Sequence, residues 1–132
     1  MLILYLATDV PIQWVNCSTW TDQLEIDEVE ANMWPPMRNQ LLTVSVVGVA
    51  KETFISGYYK ETLTYKGYSL PSLISPLSDL SIKLPAQRGP LTVVIFNTTI
   101  PDVAPPGKYD FSVRAGEQDN FEILCVTISW EL

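Results

Sequence analysis

Apolar and polar positions alternate with a period of two along much of this chain, and a helical period is nearly absent. Ten prolines and six glycines interrupt the chain at short intervals, and the runs between them are rich in valine, isoleucine, threonine, tyrosine and phenylalanine. This pattern is typical of antiparallel β-structure. Short strands and loops are expected between residues 67 and 90, and longer strands are predicted over residues 24–29, 41–50, 54–66, 91–100, 108–115 and 121–132.

About seven strands predict an all-β protein, an immunoglobulin-like β-sandwich of two antiparallel sheets. Successive side chains of a strand point to opposite faces, so the alternation also predicts the inner rows. Three of the rows are Tyr109, Phe111, Val113 and Ala115; Leu124, Val126, Ile128, Trp130 and Leu132; and Tyr59, Glu61, Leu63 and Tyr65. Glu61 stands out because an inward carboxylate needs a partner, a bulge or a place at the mouth of a pocket.

Charge and composition exclude several classes of function. Fifteen acidic residues against eight basic ones give a net charge of −7, which repels the phosphate backbone of nucleic acids. The chain has no histidine, so the ordinary serine–histidine and cysteine–histidine nucleophiles cannot form. No metal-binding spacing is present, and no cofactor is implied. A hydrolase with paired carboxylates is the remaining enzymatic alternative, and a binding protein is favoured over an enzyme.

Cysteines and sequons bear on the compartment. Cys17 and Cys125 lie 108 positions apart. Two interpretations stay open: two free buried thiols, or a disulfide between the first and last strands, which the loop-entropy model values at about 4–5 kcal/mol. Asn16 and Asn97 each begin a glycosylation sequon, and with the cysteines they favour the secretory pathway. Residues 1–7 are interpreted as a short or truncated signal-peptide remnant, with a plain first strand as the alternative.

An ordered set of landmarks lies between about residues 14 and 130, and it consists of Trp14 and Cys17, Leu24-Glu25-Ile26, Pro35-Pro36, Gly57, Asp79-Leu80, Gly89-Pro90, Ile100-Pro101, Pro105-Pro106-Gly107 and Ile123-Leu124-Cys125. In their order and spacing these landmarks resemble the ML (lipid-recognition) domain family. That family includes the Niemann-Pick type C sterol-binding protein and the fungal phosphatidylglycerol/phosphatidylinositol transfer proteins, which this chain resembles most. The family commonly has three disulfides, whereas two cysteines form one at most.

The resemblance implies a domain over residues 8–132 whose two sheets are splayed around an apolar cavity. It implies a lipid-binding and lipid-transfer protein that carries a sterol or a phospholipid. The expected lipid-binding residues are Tyr59, Leu63, Tyr65, Phe96, Tyr109, Phe111, Val126, Ile128 and Trp130, with Val44 and Val46 as second choices. The alternative for all of them is an ordinary sandwich core.

Partners and location follow from the same resemblance. We expect transient membrane contact, a lipid-accepting membrane protein as partner, and residence outside the cell or in the lumen of the lysosome or vacuole. Two rival functions remain: a subunit that presents or senses lipid for a protein partner, and a filled-core sandwich used for adhesion or interaction. A flap touching lipid, with ordinary loop packing as its alternative, is predicted from Leu70, Leu73, Ile74, Leu77 and Leu80.

Overall fold

Strands dominate the part of the chain that the computed structural model describes, which is residues 10–17, 23–80, 82–117 and 122–132. The segment interpreted as a signal-peptide remnant, residues 1–7, lies outside these ranges. A single turn of 3-10 helix covers Leu77–Asp79. The strands are β1 (Val10–Pro11), β2 (Val15–Asn16), β3 (Leu24–Ala31), β4 (Leu41–Ala50), β5 (Gly57–Tyr65), β6 (Tyr68–Ser69), β7 (Leu73–Pro76), β8 (Gly89–Thr99), β9 (Lys108–Glu117) and β10 (Glu122–Glu131).

Two antiparallel sheets form a sandwich, which confirms the predicted fold class. One sheet has the order β1-β3-β4-β8, and the other has the order β2-β10-β9-β5-β6, with β7 also paired to β5. The six long strands fall close to their predicted positions. Strand β5 begins at Gly57 rather than at residue 54, because Phe54 instead forms an isolated bridge with Ala86 on another segment. Strand β5 ends where Lys66 and Gly67 turn the chain with positive φ angles.

The inner rows of β9 and β10 form the centre of the core. All four predicted inward residues of β9 and the first four of β10 are buried, whereas Leu132 is half-buried. Aromatic rings fill the middle of this layer, where Tyr109 stacks on Trp130 with 5.7 Å between ring centroids. Trp34, next to the cis peptide bond before Pro35, meets Trp130 edge-on at 6.4 Å.

Two irregularities interrupt the ladders of the four-stranded sheet. In β8 the pairing shifts between Val94 and Phe96, so that the intervening Ile95 is an extra residue, and Ile95 is 2% exposed. In β3 the register shifts between Ile26 and Glu28, opposite Gly48 of β4. A Cβ atom at position 48 would overlap the carbonyl oxygen of Glu25, so this close backbone approach requires glycine.

A disulfide links the edge of the six-stranded sheet to its neighbouring strand. Cys17, directly after β2, is bonded to Cys125 of β10, with 5.0 Å between the Cα atoms. This confirms the disulfide interpretation and excludes two free thiols. Cys125 belongs to the outward row of β10, yet it is only 2% exposed, so the bond is less open to solvent than its row predicts. Within the described ranges, no helix is long and apolar enough to span a membrane.

Candidate functional site: a cleft between the sheets

A cleft of about 280 Å³ opens between the sheets on the side opposite the disulfide. One wall is β8, the edge strand of the four-stranded sheet, and the other is the inner face of β5. The 3-10 helix and the residue after it close one end. The lining residues are Tyr59, Glu61, Asp79, Leu80, Val94, Ile95, Phe96, Asn97 and Thr98.

Strand order explains why the sandwich is open here. Beyond β5 the six-stranded sheet continues only as the short strands β6 and β7, and no described strand extends the four-stranded sheet beyond β8. On the opposite side, the backbone N–H of Gln23 donates to the carbonyl oxygen of Glu122 at 3.1 Å, which holds the start of β3 against the start of β10. The two sheets are therefore hydrogen-bonded to each other at one side, and the cleft lies at the other.

The floor of the cleft is apolar. Leu80 and Ile95 are buried there, and the half-buried Phe96 packs edge-on against the ring of Phe111 at 5.0 Å between centroids. Phe96 also meets Trp130 at 6.2 Å, so one aromatic ring connects the cleft to the central core. A ligand tail that reached the floor would contact carbon atoms on several sides.

The rim of the cleft is polar. Tyr59 is buried, and its hydroxyl hydrogen-bonds to the side chain of Ser75 on β7. Burial raises the pKa of Tyr59. Burial also raises the pKa of the half-buried Glu61, which faces the interior as the alternation predicted. Asp79 is exposed at the end of the 3-10 helix. Of the three settings expected for an inward Glu61, which were a partner, a bulge or the mouth of a pocket, the structure places it in the lining of a pocket.

The predicted lipid-binding residues divide into two groups. Tyr59 and Phe96 line the cleft. The other seven pack into or against the core, and they are Leu63, Tyr65, Tyr109, Phe111, Val126, Ile128 and Trp130. The hydroxyls of Tyr65 and Tyr109 donate to the carbonyl oxygens of Pro106 and Pro105, at 2.8 and 2.7 Å. These two hydroxyls anchor a turn, and the role of the seven residues in lipid binding stays a prediction.

Several lining residues were not on the predicted list. Asp79 and Leu80 belong to a segment rich in prolines where alternation gives no signal, and Val94 and Ile95 depend on the bulge in β8. Of the predicted flap, Leu70, Leu73 and Ile74 are exposed. Leu77 and Leu80 are buried, so these two were assigned to the wrong environment.

The other candidate sites provide less evidence of a function. Both sequon asparagines are exposed, and the Oδ1 of Asn97 accepts a hydrogen bond from Thr43 at 3.0 Å; glycosylation stays a prediction. The described residues contain no group of acidic or sulfur side chains placed to hold a metal ion. A second depression, of about 460 Å³, lies beside Trp14 and Ser129, on the outward row of β10. It contains none of the nine predicted lipid-binding residues.

Comparisons with known proteins agree with this architecture. The family model described as the ML domain matches residues 11–132. A Dictyostelium discoideum relative, provisionally named phosphatidylglycerol/phosphatidylinositol transfer protein 2, is 30% identical over an alignment of 138 residues, covering 100% of this chain and 94% of the relative. The Candida albicans phosphatidylglycerol/phosphatidylinositol transfer protein is 31% identical over 124 residues, covering 90% of this chain and 64% of that protein.

The fold has a counterpart among solved structures. The crystal structure of a Niemann-Pick type C2 protein from the Japanese carpenter ant superposes with a TM-score of 0.66, covering 91% of this chain and 98% of the other. Its sequence identity is 11%, so this likeness concerns the fold alone.

Proposed function

Because the chain belongs to the ML domain family, we propose that it binds a single lipid through the cleft between β5 and β8 and transfers it between membranes. The names of its relatives, which are transfer proteins, support this proposal. Family membership also confirms that the chain is not an enzyme. The observation that carries the proposal is the cleft itself: an apolar floor with a polar rim suits a molecule with a long tail and a polar end.

The volume of the cleft limits how much of a lipid it can bury. A water-sized group takes about 30 Å³, so the cleft of about 280 Å³ holds roughly nine methylene-sized groups. Burying nine methylenes gains about 7 kcal/mol, which association costs of about 4–15 kcal/mol largely offset. Stable carriage of a sterol or a phospholipid therefore requires more burial than this cleft provides. In our proposal the sheets separate further at this side when the lipid enters.

A wider gap would expose the remaining predicted residues to the ligand. Phe111 and Trp130 already contact Phe96 at the cleft floor, so they are the next side chains that a tail would meet. The packed aromatic core favours one rival function, a filled-core interaction sandwich, if the sheets do not separate. Measuring bound lipid distinguishes the two.

Membrane contact is proposed through an apolar edge next to the cleft, formed by Tyr68, Leu70, Leu73 and Ile74. Leu73 and Ile74 are 69% and 71% exposed, and β7, which carries them, pairs with the β5 wall of the cleft. A lipid leaving the cleft would pass beside this edge. Burying these side chains in a bilayer would recover the hydrophobic free energy that their exposure in water costs.

The proposed compartment is the secretory pathway, with final location outside the cell or in the lumen of the lysosome or vacuole. The Cys17–Cys125 disulfide supports this, because such bonds persist in oxidising environments. The exposed asparagines of the two sequons are accessible to glycosylation.

Three measurements test the proposal. Protein purified from a secretory host is extracted with organic solvent, and the extract is analysed for lipid by mass spectrometry. Transfer of a fluorescent phospholipid between donor and acceptor vesicles is then followed without any protein partner. Ile74→Glu should slow transfer and leave the amount of bound lipid unchanged.

Each result distinguishes one alternative. Bound lipid without transfer would favour a presenting subunit that needs a protein partner. The absence of lipid, both in the extract and after incubation with vesicles, would favour the filled-core sandwich and overturn lipid carriage.

A further inference from the structure

The rim of the cleft carries two carboxylates, and no lysine or arginine is among its lining residues. Glu61 projects from β5, and Asp79 ends the 3-10 helix. Burial is the main cause of the raised pKa of the Tyr59 hydroxyl, and the negative charges of Glu61 and Asp79 raise it further, so the three groups share one small region. A polar group entering the cleft therefore meets a negative potential.

Two positively charged residues of the six-stranded sheet lie on its outward face. Lys60 precedes Glu61 in β5, so its side chain points to the opposite, outward face, where it is exposed. On that face it stands opposite Arg114 of β9. The sheet lies between these two cations and the cleft, and neither of them lines it.

Elementary electrostatics predicts which lipid headgroups this rim repels. A phosphodiester with a net negative charge is repelled by both carboxylates, and the repulsion from the half-buried Glu61 is stronger than in water because that carboxylate is partly desolvated. A headgroup whose charges balance, or one with only hydroxyls, escapes the net repulsion, and any hydroxyl or N–H group that it carries can donate hydrogen bonds to the carboxylate oxygens. The rim therefore discriminates by charge.

We infer that Glu61 and Asp79 are specificity-determining residues that exclude anionic headgroups, so that the lipid carried has no net negative charge. This inference rests on the proposed lipid binding. It predicts that the ligand of this chain differs in charge from phosphatidylglycerol and phosphatidylinositol, the anionic lipids for which its relatives are named. Like charges placed against a partner are a common way to reject a wrong ligand.

A competition for two phospholipids tests the inference. The full chain is incubated with vesicles of equimolar phosphatidylcholine and phosphatidylglycerol that have identical acyl chains. The protein is then re-isolated, and its bound lipids are quantified by mass spectrometry. Wild type should take up mainly phosphatidylcholine. Glu61→Gln should raise the bound ratio of phosphatidylglycerol to phosphatidylcholine about tenfold, the effect of removing one like-charge contact at a partly buried site.

Two further variants control for net charge and for folding. Glu25→Gln removes one negative charge from an exposed position on β3, away from the cleft, and should leave the ratio unchanged. Asp79→Asn changes an exposed rim residue without disturbing the core, and should raise the ratio as Glu61→Gln does.

The outcomes are separable. Wild type that binds both phospholipids equally, or a ratio that Glu61→Gln and Asp79→Asn leave unchanged, would overturn the inference while lipid binding stands. An equal shift in Glu25→Gln would assign the effect to net charge and also overturn it. If neither phospholipid is taken up, the proposed function fails and the inference fails with it.

Discussion

Thr98 offers the most direct way to block the cleft without disturbing the core. It lies near the end of β8, lines the cleft and is exposed, and it is absent from the cluster of buried side chains. In Thr98→Trp an indole replaces a small side chain at the entrance. Because the site is open, the larger ring has room to settle over the cleft, and we expect the fold to be unchanged.

The loss of affinity can be worked from the size of the cleft. Tryptophan has about seven more non-hydrogen atoms than threonine, against room for roughly nine methylene-sized groups in the cleft. If about half of the added atoms occupy space that the ligand needs, about three methylenes stay unburied. At about 0.8 kcal/mol each, this costs about 2.5 kcal/mol, which lowers affinity by about 60-fold.

Equilibrium binding of a fluorescent phospholipid measures this loss. Thr92→Trp is the matched control, because Thr92 is also exposed on β8 and lies outside the cleft lining. It should bind like wild type. Unfolding midpoints of the two variants should agree within a few degrees, which excludes a general loss of structure. Equal affinities of Thr98→Trp and Thr92→Trp would show that the ligand does not enter between β5 and β8.

Three further predictions concern stability. Replacing Cys17 and Cys125 together by alanine should lower the free energy of unfolding by about 4–5 kcal/mol in a denaturant titration, and a loss below about 1 kcal/mol would contradict the loop-entropy estimate. Gly48→Ala should cost about 1–3 kcal/mol, because its Cβ would overlap the Glu25 carbonyl; unchanged stability would mean that the backbone moves apart freely. Burial raises the pKa of Glu61, so wild type loses stability as the pH rises from the ordinary value of 4.5 through the raised value. Glu61→Gln should therefore be more stable than wild type at neutral pH, and the difference in stability should shrink in acid. A difference between the urea midpoints of the two proteins that does not change with pH would refute this.

The strands were predictable because alternation and breakers act locally. The inner row of β9 could be assigned from sequence alone, since four apolar residues alternate there with Lys108, Asp110, Ser112 and Arg114. The same logic placed Glu61 inside. The disulfide depended on two cysteines meeting across β2 and β10, and sequence left this open, because pairing over 108 positions is a property of the tertiary fold.

The cleft was less predictable than the strands. Its wall in β8 depends on a bulge at Ile95, which shifts the row and has no distinctive residue to mark it. In the sequence Leu77 and Leu80 look like members of an exposed apolar loop, whereas in the structure the turn of 3-10 helix places both in the buried core. Which inward residues line a gap and which fill a core is decided by the distance between sheets, and the alternation along a strand does not encode that distance.

The disulfide has a consequence for how the molecule fluctuates. It joins β2 to β10 at the far edge of the six-stranded sheet, while β8 has no described strand on its outer side. Spontaneous opening should therefore be unequal across the fold, with amide protons of β10 exchanging with solvent slowly and those on the free edge of β8 exchanging fast. Thermal motion would then be greatest at the side where the ligand enters, and the side that carries the disulfide would move least.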